Sequence, residues 1–193
     1  MPPTPDTPVL AATRLWQTRV ATPQDGCLVQ ELHDRCSQRS LYQRYLSPLR
    51  RLPASMLNRL LEPSSSHTLL AQSDSGSPVA MGMLARGPED HGGREVHLAV
   101  LVEDAWQRQG LGTALTERLL CLAEQADVPR VHADVLADNS AMLRILHRAG
   151  GVVRERECGV ASLTVATARS GAPVSLVDAG NAWNASQGPA HAK

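Results

Sequence analysis

The chain has 193 residues, 19 Lys and Arg against 19 Asp and Glu, 42% hydrophobic and 3% aromatic residues, and no phenylalanine. This is the length of one domain, able to bury a core without disulfide staples. Zero net charge and scarce rings exclude a DNA-wrapping footprint and a stacking platform for single-stranded nucleic acid, and no stretch approaches the ~20 apolar residues of a membrane span.

The opening MPPTPDTPVL lacks the basic segment and apolar run of a signal peptide. Cys27, Cys36, Cys121 and Cys158 form no C-x-x-C pair. The expectation is therefore a cytoplasmic protein with reduced, largely buried thiols and no metal centre. Residues 1–12, with four prolines, read as a tail, 13–168 as a single domain, and 169–193, rich in Gly, Ala, Ser and Asn, as a second tail. A small phosphorylated ligand held by backbone amides stays open.

Trp16–Val20 reads as a first strand, closed by turn residues from Thr22 to Gly26. Leu28, Val29, Leu32 and Cys36 recur at helical spacing, and Ala54–Leu61 reads as the second helix after the break at Pro48 and Pro53. His67–Gln72 and Val79–Arg86 form a hairpin pattern around a Ser-, Asp- and Gly-rich turn. Arg94–Glu103 is a longer strand, with Val96, Leu98 and Val100 on one face and Glu95, His97 and Ala99 on the other. A helix begins at Leu111, a strand spans Arg130–Leu136, and Asp138, Asn139 and Ser140 offer N-caps for a helix stopped by Gly150 and Gly151. Val152–Glu157 and Ala161–Ala166 complete an α/β or α+β domain as two more strands.

The informative segment is Gln107-Arg108-Gln109-Gly110-Leu111-Gly112-Thr113, between a strand and a helix. Two glycines one residue apart let a bulky anion approach the backbone closely, and the first-turn amides and helix dipole favour a pyrophosphate there. Arg108 and the Thr113 hydroxyl add donors. A dinucleotide fingerprint fails at Leu115, where Gly or Ala is required, and a P-loop fails for want of a lysine. A bare structural turn stays open on the glycines alone.

Gln107-x-x-Gly110-x-Gly112 resembles the pyrophosphate-binding signature Q/R-x-x-G-x-G/A of the GNAT superfamily of N-acetyltransferases. Asn139-Ser140-Ala141-Met142 followed by Gly150-Gly151 resembles its second motif, N-x-x-(A/M)…G-F. The likeness is clear over about residues 94–151. Ser40-Leu41-Tyr42-Gln43-Arg44-Tyr45 is similar to the S-x-Y-x-R-F segment of bacterial protein lysine acetyltransferases, and Arg94-Glu95-Val96 to their A-E-V-A-like run.

The resemblance implies a mixed, mostly antiparallel sheet flanked by helices and splayed between strands four and five, with acetyl-CoA in the opening. Backbone groups of Val100, Leu101 and Val102 would pair with the pantetheine arm as an added strand. Gln107, Arg108, Gln109, Gly110, Leu111, Gly112 and Thr113 would hold the pyrophosphate through main-chain amides, and Asn139 would reach the cofactor or simply cap its helix. The implied activity is acetyl transfer to a primary amine, a protein lysine by the nearer resemblance, through direct attack in a ternary complex. A small-molecule amine acceptor, and a non-catalytic acyl-CoA-binding module, are the alternatives.

A lysine amine has a pKa near ~10.4, so on the order of one molecule in a thousand is neutral at pH 7, and a general base is needed. Glu95 is the candidate catalytic residue by resemblance, with His97 in reserve. The family's usual acid is absent: Leu146 stands where an L-Y-x-x-x-G-F run has Tyr, and Gly151 where it has Phe. Water then protonates the CoA thiolate, whose reference pKa is near ~8.5, or the rate is low. The run Arg35, Arg39, Arg44, Arg50 and Arg51 is a solvated surface or steers an acidic partner. A homodimer is compatible with the sequence.

Overall fold

The computed structural model describes residues 16–87 and 96–167. The expected tails, Arg94 and the candidate base Glu95 lie outside the described residues. Chain order is β1 (Trp16–Val20), α1 (Gly26–Arg35), α2 (Gln38–Tyr45), α3 (Ala54–Leu61), β2 (Ser66–Ser73), β3 (Pro78–Arg86), β4 (Val96–Val102), α4 (Leu111–Gln125), β5 (Arg130–Leu136), α5 (Ser140–Arg148), β6 (Val152–Glu157) and β7 (Val160–Ala166).

The strands form one seven-stranded sheet in the order β1-β2-β3-β4-β5-β7-β6. Every pairing is antiparallel except β4 with β5. Alternation of side chains sends neighbouring residues to opposite faces, so Leu69 and Leu70 of β2 enter different cores. One core packs Leu111, Leu115, Leu119 and Leu122 of α4 and Leu146 of α5 against the sheet. The other packs Val29, Leu32, Leu41, Leu60 and Leu61 of α1–α3 against Leu70, Met81 and Leu101. Leucine supplies the volume that the absent phenylalanine would fill.

Two expectations change. The helix α2 follows α1 almost directly, so Ala54–Leu61 is the third helix and not the second. Its eight residues QRSLYQRY bury only Ser40 and Leu41, which leaves too short an apolar stripe for periodicity to reveal. Its caps do mark it: Ser37 Oγ accepts the Ser40 N–H at 3.2 Å, and Leu46 closes it in the left-handed region at φ 54°. The thiols are also not largely buried. Cys36 is buried, but Cys27 and Cys158 are exposed, on the outer side of the first α1 turn and in the β6–β7 turn. Among the described residues, no helix is long and apolar enough to cross a membrane.

Candidate functional site

The ladder between β4 and β5 is short. Val96 pairs with Val131 and His97 with His132, and there the two strands part. From Leu98 to Val102, β4 keeps its partner β3 and leaves its other edge open, as the expected splay requires. The opening is a cleft of about 800 Å³ walled by β4, β5, α2, the β4–α4 turn and the start of α5.

At the far end of the cleft the chain turns into α4. Arg108 has φ 61° and Gly110 φ 89°, both left-handed, and backbone of this kind turns successive N–H groups toward one concave side. The first intrahelical bond is Ala114 N–H to Gly110 O at 2.9 Å. The amides of Leu111, Gly112 and Thr113 therefore have no partner inside the helix, and no side chain caps it. The turn presents donors that are unused among the described residues, at the positive end of a 15-residue helix dipole.

The expected binding residues divide by which part of each reaches the cleft. Val100, Leu101, Val102, Gln107, Arg108, Gly110, Gly112, Thr113 and Asn139 all line it. Leu101 and Leu111 bury their side chains in the two cores, so only their backbone is available to a ligand. Gln109 points away, its Nε2 donating to Ala105 O at 2.9 Å. Gln107 is a brace: its Nε2 donates to Val102 O at 3.1 Å and to Ser40 Oγ at 3.0 Å, tying the turn to β4 and α2. Asn139 is the N-cap of α5, its Oδ1 accepting the Met142 N–H at 3.2 Å.

Asp104, which sequence reasoning missed, completes that brace. Its carboxylate accepts the Ser37 N–H at 2.8 Å and the Ser37 and Ser40 hydroxyls at 2.7 and 3.0 Å. Burial pushes the Asp104 carboxyl up, but these bonds outweigh it and hold the group below its ordinary value. The signal in the sequence was the pair Ser37 and Ser40 at helix-cap spacing, whose partner lies 64 residues or more away. Burial, with the nearby Asp104 and Glu103 charges, pushes the adjacent Cys36 thiol up to about 12, so it is inert at neutral pH.

Leu146 is fully buried in the α4 core and does not line the cleft, whose α5 wall is made by Met142, Arg144, Ile145 and Arg148. A Cβ at Gly151 would lie 2.7 Å from the Leu146 carbonyl oxygen, so the phenylalanine common at that place has no room. His97 and His132 face each other at the base of the fork with ring centroids 5.6 Å apart.

The cleft suits an extended amide-bearing arm ending in a phosphate: an open strand edge on one side and a cradle of free amides at one end. The sequence profile of the acetyltransferase (GNAT) family matches residues 28–150. Acetyltransferase Pat of Mycolicibacterium smegmatis is 31% identical over 127 residues, 64% of this chain and 37% of that protein, so the chain spans little more than a third of that relative's length. Among solved structures, the GNAT domain of S. lividans PAT is 26% identical with a TM-score of 0.71, covering 78% of this chain and 90% of that one. The structure of yncA from Salmonella typhimurium with its cofactor acetyl-CoA shares the fold, with a TM-score of 0.65 at 19% identity over 83% of this chain and 99% of that one. The chain belongs to the acetyltransferase (GNAT) family.

Proposed function

We propose that residues 13–168 act as a single acetyl-CoA-dependent N-acetyltransferase domain in the cytoplasm, transferring acetyl to a primary amine, a protein lysine. The observation that carries the reading is the fork: β4 leaves its edge open from Leu98 onward, and the cradle of free amides lies beyond its end. Bound acetyl-CoA supplies an activated thioester; the acceptor nitrogen bonds to its carbonyl carbon as the C–S bond breaks and the thiolate leaves. Backbone groups of Val100, Leu101 and Val102 hold the arm by strand addition. The Val102 carbonyl already accepts from Gln107, so it has one lone pair left for this. Amides from Arg108 to Thr113 hold the pyrophosphate, and Arg108 adds charge. The lysine side of the reading rests on the resemblance of the Ser40–Tyr45 segment to bacterial protein lysine acetyltransferases.

In this scheme Glu95 takes the amine proton and water returns one to the thiolate. A thiol-release assay with acetyl-CoA over lysine peptides and small amines tests it. Glu95→Gln is expected to lower turnover at least tenfold, most strongly below neutral pH where fewer amines are free, with acetyl-CoA affinity kept. Wild-type turnover by that variant across the pH range removes Glu95 as the base. Acetyl-CoA binding without acceptor-dependent release from any amine supports the non-catalytic module instead.

A further inference from the structure

The α2 wall of the fork carries a cation that has no ion-pair partner among the described residues. Arg44 lines the cleft one helical turn after Ser40. Its guanidinium carbon lies 4.6 Å from the centroid of the Tyr45 ring, and one terminal nitrogen lies 2.8 Å from Met83 Sδ. Its Nε is enclosed and has no hydrogen-bond partner among the described residues. Arg19 pairs with Asp25 and Arg35 with Glu31 and Glu103, but Arg44 forms no ion pair among the described residues. Arg39, Arg108, Arg144 and Arg148 of the same cleft are exposed, whereas Arg44 is half-buried. A thioether and a ring face stabilise a guanidinium only weakly, and arginine does not shed its proton. Among the described residues no carboxylate pairs with Arg44, and an anionic group on a ligand would complete the site.

Its place in the fork says which anion. Met83 is opposite Ala99 in the β3–β4 register, two residues from His97 at the fork's closed end. Ser40, one turn earlier, sits at the open end beside Gln107 and the amide cradle. Arg44 therefore stands where the acyl end of an arm along β4 would lie, away from the phosphates. On the opposite wall, Asp134 of β5 lines the cleft two residues past His132, its Oδ1 accepting from Ser162 Oγ at 2.6 Å.

We infer that the acceptor amine carries a carboxylate beside it, which Arg44 holds while Asp134 draws the ammonium: for the acceptor proposed above, on which this rests, a lysine next to Asp or Glu. The test measures kcat and KM on paired peptides, lysine beside Glu or beside Gln, and on paired small amines, an amino acid and its carboxamide. Wild type, Arg44→Gln and Arg44→Lys are compared, with the acetyl-CoA Kd of each. Wild type is expected to favour the acidic member about tenfold in kcat/KM, through KM. Arg44→Gln brings that ratio near one, Arg44→Lys restores part of it, and the acetyl-CoA Kd holds. Equal kcat/KM for both members in wild type, or a ratio that survives Arg44→Gln, overturns the inference. A weakened acetyl-CoA Kd with an unchanged ratio also overturns it and assigns Arg44 to a phosphate. Turnover of small amines alone removes the lysine reading, and the acid-to-amide ratio still judges Arg44. No turnover from any pair removes acetyl transfer and the Arg44 clamp together.

Discussion

Gly110 does its work through φ. At 89° its backbone is left-handed, and a Cβ there would meet nothing within 4 Å, so the demand is conformational and not steric. Gly110→Ala is expected to cost about 1–2 kcal/mol, read as a fall of a few degrees in Tm; an unchanged Tm would contradict a left-handed turn. Arg108 holds φ 61° without being glycine, a local strain kept at the cradle. At this scale the spacing of Gln107, Gly110 and Gly112 was readable, but what their side chains touch was not. Gln107, expected among the pyrophosphate binders, also has a contact that its spacing does not announce: its side-chain amide joins Val102 O and Ser40 Oγ. A contact across 67 residues has no signature in local spacing. Asn139 was readable in its simplest sense, since Asx at a helix start is a cap by short-range geometry alone.

Elements with sustained periodicity were legible: the hairpin of β2 and β3, the strand Arg130–Leu136 and the long helix from Leu111. The short, polar α2 escaped because tertiary bonds hold it, from Asp104 to Ser37 and Ser40, more than any apolar stripe. A comparable device joins β1 to α1. Arg19 of β1 makes a bidentate pair with Asp25 at 2.6 and 2.7 Å, and Asp25 also accepts the Thr22 N–H and hydroxyl. The Arg19 guanidinium, helped by Thr22 and opposed by burial, brings the Asp25 carboxyl down to about 2. A folded pKa below the unfolded ~3.9 means that this contribution is full above ~4 and is lost as pH falls through about 2. Asp25→Asn is expected to lower stability at pH 7 on the order of 1–3 kcal/mol, and the gap from wild type to narrow from pH 4 to pH 2. Urea unfolding at those pH values checks this, and a gap independent of pH would contradict it.

For the whole molecule, net charge zero is no obstacle to the proposed anion site, because backbone amides and a helix end carry no formal charge. The fork arises from topology: the single parallel pairing ends at His97 and His132, and α4 and α5 on one face and α2 on the other wall the gap. No local pattern encodes that gap, so the sequence reached it only by resemblance to a family. In the proposed function the fork holds acetyl-CoA by its backbone. A Cβ at Gly112 would sit 3.4 Å from Ile145 Cδ1 and 3.9 Å from Val102 Cγ2. The fold therefore accepts alanine there, and the methyls of valine would fill the cleft side of the first turn. The direct measurement is calorimetric titration of acetyl-CoA into wild type, Gly112→Ala and Gly112→Val, with the Tm of each. Wild type and Gly112→Ala are expected to bind, and Gly112→Val to bind at least tenfold more weakly with its Tm kept. Wild-type affinity in folded Gly112→Val, or no binding by wild type, would contradict the claim.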